Sequence, residues 1–297
     1  MQQWIRHCGL VISAGSASLD LSQLRITFEI KRSQTETPNQ AQIKVYNLSE
    51  DTANLLVAEG QRVTLQAGYK DNFGVIFDGQ CTQIKKGREG GTETYIEINA
   101  SDGDNAYNFA FVNTTLAAGS SQADHVNVVQ KSMGIGHTQK DTKSNKLPRG
   151  KVMFGEAKHI MRKSAQAHGQ DWSIQDGQLQ IISKDNTLKN QSIVLNSKSG
   201  LVGGAEQSTD GIKAKALLNP MIKIGALVII DEKDVEFAKI KNTKESKKDP
   251  VNKAPTITHD GQYKVIEVTY NGDTYGNDWF SSIVCIESNA VKTGKEG

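Results

Sequence analysis

Residues 261–288 read GQYKVIEVTYNGDTYGNDWFSSIVCIES, and this stretch predicts a β-hairpin near the C-terminus. Two segments rich in β-branched and aromatic residues flank a polar, glycine-containing loop, NGDTYGNDW. The loop carries two carboxylates, Asp273 and Asp278, and ends at Trp279. It is either an active-site loop or a structural turn, and the rest of the chain has to decide between the two.

The first hundred residues carry further strand patterns. In LRITFEIKR, which begins at Leu24, apolar and polar side chains alternate as they do in a strand with one buried face. Similar segments follow, together with one short helix that Ser49 caps and Gly60 ends. These segments are AQIKVYNL, QRVTLQAGY, GVIFDGQCTQIKKG and TETYIEINASD. Many short strands separated by turns predict a barrel or a sandwich.

The middle of the chain has a different pattern. SSQADHVNVVQKSMG and GEAKHIMRKSAQAHG place apolar residues at helical spacing, and each ends at a glycine. The segment DWSIQDGQLQIIS then predicts a tight hairpin around Asp176-Gly177. We therefore expect a small α/β unit of two helices and a hairpin.

Strand patterns return after Gln191, so the chain divides into three parts. We predict a mainly β fold with an α+β part: two β-barrel domains joined by a small α/β domain. The first barrel covers 1–102, the connecting α/β domain covers 103–190, and the second barrel covers 191–297. Within the second barrel, 232–258 is a lysine-rich insertion that we expect to be mobile.

The two β parts share an order of features, which predicts an internal repeat. Each has a segment that ends at a glycine, LLVAEG or PMIKIG, followed by an apolar strand. Each later begins its last hairpin with the same tripeptide, Asp78-Gly79-Gln80 and Asp260-Gly261-Gln262. The shared order favours two copies of one barrel.

No pattern in the sequence predicts a catalytic or cofactor-binding site. Two carboxylates that act as general acid and base need different environments and must face a common pocket. Asp273 and Asp278 instead lie in a hairpin loop, where aspartate side chains commonly cap turns. We therefore interpret the loop as structural, with Trp279 packing on the end of the barrel.

No pattern predicts a metal site either. His159 and His168 are too far apart in sequence to share a helix face as the histidines of HExxH do, and the others, His7, His125, His137 and His259, stand singly. Asp102 and Asp104 match part of a calcium loop that lacks the distal glutamate, so we expect a turn between domains there.

Phosphate-binding patterns are also absent from the sequence. The glycines of GLVGGAEQ, around Gly203-Gly204, are not followed by the GK[ST] of a phosphate-binding loop and predict a strand connection. The lysine-rich segments 140–151 and 239–253 include acids and lack interleaved aromatic residues, so we interpret them as solvated loops.

The composition excludes several functional classes. Lysines and arginines number 35 against 33 acids, whereas dedicated nucleic-acid binders carry a clear basic excess. The widely separated Cys8, Cys81 and Cys285 predict buried free thiols rather than disulfides or a zinc site. No segment reaches a membrane-spanning length, and the N-terminus lacks a signal-peptide pattern, so we expect a soluble protein without membrane insertion.

Several of these motifs together resemble the baseplate hub proteins of tailed bacteriophages, with a contractile tail expected. STDGIKAKALLNPMIKIGALVII and DGQYKVIEVTYNGDTYGNDWFSSIVC are similar to the second barrel of such hubs. NLSEDTANLL and the run from IFDGQ to SDGDNAY are similar to the first barrel, and HGQDWSIQDGQLQII is similar to the connecting domain. The insertion at 232–258 departs from the family pattern.

The resemblance implies a structural, non-enzymatic function. Such hubs form a trimeric ring between a sixfold tail tube and a threefold central spike, because two tube-like barrels per chain present six modules to the tube. The implied partners are further copies of the chain in a homotrimer, the central spike protein, the tail tube or a tube-initiator protein, other baseplate proteins and the tape-measure protein. The implied location is the tail baseplate of the virion, assembled in the host bacterial cytoplasm.

The same resemblance implies that DNA passes through the ring transiently and without specific binding. Charged residues on two predicted strands would either line a wet lumen or face solvent, and the sequence does not choose: Arg25, Glu29, Lys31, Lys264 and Glu267. A wall of mixed charge suits passage, because a strongly basic wall would hold DNA by releasing its counterions.

Three rival interpretations remain at this point. A tail-associated cell-wall hydrolase would need a glutamate and aspartate pair in a domain of its own, and no segment is left over for one. An oligonucleotide-binding barrel would show aromatic side chains beside lysines, and aromatic residues make up only 6% of the chain. The hub of a bacterial contractile injection system would share the fold.

Overall fold

The computed structural model of the protein describes residues 5–14, 17–55, 60–143, 145–189, 192–208, 211–230, 235–237 and 261–288. Within these ranges no helix is both long enough and apolar enough to cross a membrane. The mobile insertion predicted at 232–258 lies outside the described residues, apart from 235–237.

The described elements fall into an N-terminal β half, a middle unit and a C-terminal β half. The N-terminal β half contains β1 (Arg6–Ala14), β2 (Ala17–Asp20), β3 (Ile26–Ser33), β4 (Gln40–Tyr46), α1 (Glu50–Leu55), β5 (Arg62–Tyr69), β6 (Asn72–Glu89) and β7 (Glu93–Ser101). The middle unit contains α2 (Asp104–Asn108), β8 (Phe111–Leu116), α3 (Gln122–Met133), β9 (Gly136–Lys140), β10 (Lys151–Glu156), α4 (Ala157–Ala167), β11 (Gln170–Gln175) and β12 (Gln178–Ser183). The C-terminal β half contains β13 (Ser192–Leu195), β14 (Ala205–Ser208), β15 (Gly211–Leu217), β16 (Leu227–Ile230), β17 (Val235–Phe237), β18 (Gln262–Asp273) and β19 (Trp279–Glu287).

The prediction of a mainly β fold with a smaller α/β part is confirmed. Strands account for 56% of the structure and helices for 13%, whereas an average soluble protein has about a third of its residues in helices. The helices predicted around 121–134 and 155–169 are α3 and α4, and the predicted hairpin at Asp176-Gly177 joins β11 to β12.

The largest sheet contains strands from both β halves. Its main path runs β17-β14-β15-β19-β18-β3-β4-β7-β6-β5-β1-β2, and β16 adds to β18 and carries β13. Alternation of side chains along the strands builds its core, as in β3, where Ile26, Phe28 and Ile30 are buried and the residues between them are not. One continuous cluster of buried apolar side chains extends through both β halves.

The two β halves repeat the same order of strand pairing. The N-terminal β half runs β3-β4-β7-β6-β5, and the C-terminal β half runs β14-β15-β19-β18-β16. Every pairing within these two runs is antiparallel. The repeat ends at the next strand, since β1 pairs with β5 antiparallel whereas β13 pairs with β16 parallel. These pairings support the internal repeat expected from the sequence.

A direct strand pairing joins the two β halves. One edge of β18 pairs with β16 over Gln262–Lys264 and then with β3 over Glu267–Asp273, and a bulge at Ile266 separates the two stretches. The sequence did not predict this pairing, in which Tyr270 lies opposite Ile30. The two halves therefore share one sheet as well as one core.

The middle unit has a separate apolar core. Its buried side chains come from residues between Ala106 and Ile181, with Trp172 stacked on Tyr107 at a ring-centroid distance of 5.4 Å. A capping box at Ser121 and Asp124 starts α3, and Gly134 ends it with a φ of 68°. The domain boundaries at 102/103 and 190/191 stay a prediction.

Candidate functional site

The loop at Asp273 is built around an ion pair with Arg25. The Asp273 carboxylate lies 3.0 Å from Arg25 Nη2 and accepts a hydrogen bond of 2.9 Å from the backbone N–H of Tyr275. Burial alone would raise the pKa of Asp273, but the hydrogen bonds from Arg25 and the loop backbone outweigh it and lower the pKa. Asp278 is exposed. A carboxylate held ionised beside an arginine is unsuited to act as a general acid at neutral pH.

The rest of the loop connects the two β halves. Arg6, on β1, donates hydrogen bonds to the backbone oxygens of Asp273, Gly276 and Asn277 at 3.1, 2.5 and 3.2 Å. Trp279 is buried, and its indole Nε1 donates a 3.1 Å hydrogen bond to a backbone oxygen of β5. These contacts support the interpretation of the loop as a structural turn.

Asp102 also has a structural position. It is buried, and its carboxylate accepts hydrogen bonds of 2.7 and 2.8 Å from the backbone N–H groups of Asp176 and Gly177, in the β11–β12 turn. Burial raises the pKa of Asp102 to about 6, although the nearby Arg32 opposes the shift. Asp104 instead lies in the first turn of α2. Asp102 therefore ties the middle unit to the sheet, and Asp104 accepts a hydrogen bond from Asn108 within α2.

The histidines are not gathered into a metal site. Among the described residues no group of three or more histidine, cysteine, aspartate or glutamate side chains is placed to hold a metal ion. His159 Nε2 lies 3.2 Å from a Glu156 oxygen, and His168 Nδ1 lies 2.7 Å from the backbone oxygen of Ser164. His259 lies outside the described residues.

The lysine-rich segment 140–151 connects β9 to β10, and the glycine-rich segment lies between β13 and β14. Between 140 and 151, Lys143, Lys146, Arg149 and Lys151 are exposed, while the segment at 239–253 lies outside the described residues. Gly203-Gly204 leads directly into β14, in agreement with the predicted strand connection.

An extended polar surface lies on the sheet itself. Along the eight strands β14-β15-β19-β18-β3-β4-β7-β6, alternate side chains point away from the core, and we call this surface the polar sheet face. It carries Lys213, Lys215, Phe280, Ser282, Glu267, Thr269, Asn271, Glu29, Lys31, Gln42, Lys44, Tyr95, Glu97, Asn99, Gln83 and Lys85. It crosses from one β half to the other without interruption at the β18–β3 pairing.

Charges of both signs are paired on this face. Lys31 Nζ lies 3.0 Å from a Glu29 oxygen, and Lys85 Nζ lies 3.7 Å from a Glu97 oxygen. Burial would raise the pKa of Glu97, but hydrogen bonds from neighbouring amide side chains and nearby lysines outweigh it and lower the pKa. The face therefore has no uniform basic field.

The same lysine–aromatic contact occurs in both β halves. Lys44 Nζ lies 4.8 Å from the centre of the Tyr95 ring, and Lys215 Nζ lies 4.0 Å from the centre of the Phe280 ring. In each case the ring is two positions before the residue directly opposite the lysine on the neighbouring strand. β4 corresponds to β15 and β7 to β19 in the shared strand order, so these contacts occupy equivalent places.

The structure separates the five charged residues singled out from the sequence. Glu29, Lys31 and Glu267 lie on the polar sheet face, and Arg25 lies at its end, bound to Asp273. Lys264 is only 1% exposed, and its Nζ lies 3.5 Å from the backbone oxygen of Ser183 and 3.4 Å from that of Lys184, at the end of β12. Burial lowers the pKa of Lys264, which belongs to the contact with the middle unit. The bulge at Ile266 puts Lys264 on the same side of the sheet as Glu267, away from the apolar core, and the middle unit covers it there.

A second surface feature is apolar. Phe109, Phe111, Val152 and Phe154 are between 52% and 76% exposed on and beside the β8–β10 ribbon, and the rings of Phe111 and Phe154 meet edge to face at 5.1 Å. Sequence reasoning missed this cluster, because the ribbon pairs two segments that are forty residues apart in the chain. Exposed apolar clusters of this kind mark surfaces that contact other proteins.

Comparison with known families identifies the chain. A family model described as baseplate hub gp41 matches residues 7–233. The chain belongs to the baseplate hub gp41 family. This confirms the resemblance to phage baseplate hubs, and the hub is thus a structural component of a phage tail baseplate. No curated protein matches its sequence.

Solved structures share the fold of the hub. The 43 kDa tail protein of prophage MuSo2 from Shewanella oneidensis matches with a TM-score of 0.62 at 11% identity, over 94% of this chain and 98% of that chain. A tail protein from Neisseria meningitidis MC58 matches with a TM-score of 0.59 at 7% identity, over 96% and 97%. The E. coli c3393 protein, a type VI secretion component with structural similarity to the T4 bacteriophage tail proteins gp27 and gp5, matches with a TM-score of 0.53 at 11% identity, over 93% and 76%.

Proposed function

We propose that three copies of the hub form a ring that adapts a sixfold tail tube to a threefold central spike and lets DNA pass. The observation that carries this proposal is the repeated strand order of the two β halves, together with their equivalent lysine–aromatic contacts. Two similar modules per chain, in three chains, offer six similar surfaces to a sixfold neighbour, while the ring itself keeps threefold symmetry.

The polar sheet face is the proposed wall of the channel. It is continuous across both β halves, and its lysines are paired with acids or aromatic rings, as in Lys31 with Glu29 and Lys85 with Glu97. A polyanion gains affinity mainly by displacing its counterions with unpaired basic groups. A wall of mixed charge therefore lets DNA slide through without holding it.

We propose partners for each side of this ring. One side of the ring takes the tail tube or a tube-initiator protein, and the other takes the central spike protein. The exposed aromatic cluster of the β8–β10 ribbon suits contacts with other baseplate proteins, and the tape-measure protein ends at the channel. We propose assembly in the host bacterial cytoplasm and a final place in the virion.

The fold likeness to a type VI secretion component makes a bacterial contractile injection system the second candidate setting for the same ring. A cell-wall hydrolase has less support, because Asp273 is held ionised by Arg25 and Asp278 is exposed. We infer a non-enzymatic role for the hub.

Sedimentation of the purified hub, alone and with a candidate spike protein, tests the ring. We expect a species of three chain masses, with the spike shifting monomers into it. A hub that stays monomeric at every concentration and with spike present would rule out the ring. Duplex DNA binding, measured in parallel at low and high salt, should show no submicromolar affinity.

A further inference from the structure

Half of β6 has an open edge. Over Gln83–Glu89 this strand pairs with β7 on one side, and no described strand pairs with its other side. The corresponding strand of the C-terminal β half, β18, uses that edge over Glu267–Asp273 to pair with β3. The chain thus contains two equivalent strand edges: the β18 edge pairs with β3, whereas no described strand pairs with the β6 edge.

The register of the two versions is set by their bulges. In β6 the register against β7 shifts between Cys81 and Gln83, and in β18 the register against β19 shifts between Val265 and Glu267. When the two register shifts are aligned, Gln83 of β6 corresponds to Glu267 of β18, and Lys85 corresponds to Thr269. Thr269 lies opposite Lys31 of β3.

The strand that corresponds to β3 is β14, because each is the first strand of its shared order. The registers of the pairings β3–β4–β7 and β14–β15–β19 identify the equivalent residues. Glu206 corresponds to Glu29, and Ser208 corresponds to Lys31. A glutamate therefore recurs at one of these two equivalent positions.

We propose that β6 of one copy pairs antiparallel with β14 of the next copy, repeating between chains the pairing that β18 and β3 make within the chain. The proposal rests on the trimeric ring proposed above and identifies the surfaces that close it. In this register Lys85 lies opposite Ser208, and Gly87 lies opposite Glu206. The polar sheet face then becomes a closed wall, with eight strands from each copy.

Charge complementarity supports β14 of the next copy as the partner of the β6 edge. Lys85 and Glu206 become diagonal neighbours on one face of the new pair, where opposite charges are favourable. In the single chain, the exposed Lys86 and Arg88 on the open edge discourage unspecific strand addition. Because the β6 edge and β14 are different surfaces, the contact is head-to-tail, which is the type of contact that a cyclic ring requires.

One strand must move for this pairing to form. In the single chain, β17 covers the outer edge of β14 through three parallel pairs, Ala205 to Gln207 against Val235 to Phe237. A three-residue parallel strand contributes few hydrogen bonds, and parallel pairing is slightly less stable per residue than antiparallel pairing. We therefore infer that β6 of the neighbour replaces β17.

Disulfide trapping tests the register. Lys85→Cys is made in one sample of the full chain and Ser208→Cys in another, and the two are mixed and oxidised. Directly opposed residues of antiparallel strands lie about 4.5–5.5 Å apart at Cα, within the range that a disulfide spans. The native thiols give little background, since Cys81 and Cys285 are buried and burial raises the pKa of Cys8 to about 12.

We expect linked dimers from the mixture and none from either variant alone. The double variant should give covalently closed trimers without a ladder of longer species. The matched control pairs Lys86→Cys, which is one position out of the proposed register, with Ser208→Cys, and should not link. Circular dichroism of each variant checks that the fold is retained.

The outcomes separate this proposal from the ring itself. The reaction is run where sedimentation shows multimers, with spike protein added if the hub alone is monomeric. Multimers that do not link through positions 85 and 208, or that link Lys85→Cys to Glu236→Cys instead, overturn the β6–β14 pairing and leave the ring standing. A hub that never multimerises overturns both.

Discussion

The indole Nε1 of Trp279 donates a 3.1 Å hydrogen bond to the backbone oxygen of Gly68, 211 positions earlier in the chain. Trp279 starts β19 and Gly68 lies near the end of β5, so this bond joins the C-terminal and N-terminal β halves. The indole also meets the Phe28 ring edge to face at 5.5 Å, and Arg6 lies 5.4 Å from its ring centre.

Replacement of this tryptophan should therefore loosen the contact between the halves. We expect Trp279→Phe to lower the free energy of unfolding by about 2–4 kcal/mol, because it leaves a cavity and an unpaired buried oxygen. Urea denaturation followed by circular dichroism measures the change. Tyr275→Phe, at an exposed site in the same loop, is the control and should change stability by less than about 0.5 kcal/mol.

The ion pair of Arg25 and Asp273 should contribute modestly. Both side chains keep some exposure, so a double-mutant cycle with Arg25→Ala and Asp273→Ala should give a coupling of about 0.5–1 kcal/mol. Because the pKa of Asp273 is lowered in the fold, this contribution is present at neutral pH and is lost as the pH falls through its folded value. A coupling that persists unchanged at pH 2 would contradict the assignment.

Asp102 should give the opposite pH dependence. Burial raises the pKa of Asp102 to about 6 from its ordinary value of 3.8, so between these values the folded state binds more protons than the unfolded state. Stability should therefore fall by about 3 kcal/mol as the pH rises through this window. The groups that face the carboxylate are the Arg32 guanidinium, the Asp176 carboxylate and the Asn39 amide.

Asp102→Asn serves as the reference for that measurement, because its side chain does not titrate. The difference in unfolding free energy between the two proteins, measured from pH 4 to pH 7, isolates the carboxyl group. A difference that stays flat, or a carboxyl carbon NMR titration with a midpoint below pH 4, would show that Asp102 is ionised throughout.

Charge reversal on the polar sheet face should create affinity for DNA. The triple variant Glu29→Lys, Glu97→Lys and Glu267→Lys reverses three acids of the face, two of which, Glu29 and Glu97, pair with lysines. We therefore expect duplex DNA to bind at least tenfold more tightly at 50 mM salt. Fluorescence anisotropy at 50 and 200 mM salt measures the affinity and its salt dependence. The matched control reverses three exposed acids away from the face: Asp71→Lys, Glu156→Lys and Asp185→Lys. Equal gains in the two triple variants would show that net charge alone, and not this face, governs the binding.

Local signals in the sequence were sufficient for many of the elements, although not for the β8–β10 ribbon. Alternation at Ile26, Phe28 and Ile30 predicted β3, and the cap at Ser121 with the stop at Gly134 predicted α3. These features depend on residues within one turn or one strand, so the pattern of neighbouring residues in the sequence reveals them. The internal repeat was visible for the same reason, as an order of short patterns along the chain.

Long-range pairing was not accessible in the same way. The β18–β3 contact joins Tyr270 to Ile30, and no local pattern specifies which strand edge meets which. The burial of Lys264 depends on a contact with Ser183 and Lys184 of the middle unit, and the partners of Asp273 are also distant in sequence. The interpretation of the loop as structural rested on its lack of neighbours for chemistry, while the arginines that hold the loop could not be predicted.

The pairing of β18 with β3 has a consequence for the order in which strands can pair during protein synthesis. Ile30 leaves the ribosome long before Tyr270, so one flank of β3 stays bare while most of the polypeptide is still being made. The nascent N-terminal half therefore carries an unpaired edge of β3, which in the native fold is covered by β18 of the last hairpin. Cutting the gene between the two β halves would leave this strand edge permanently unpaired.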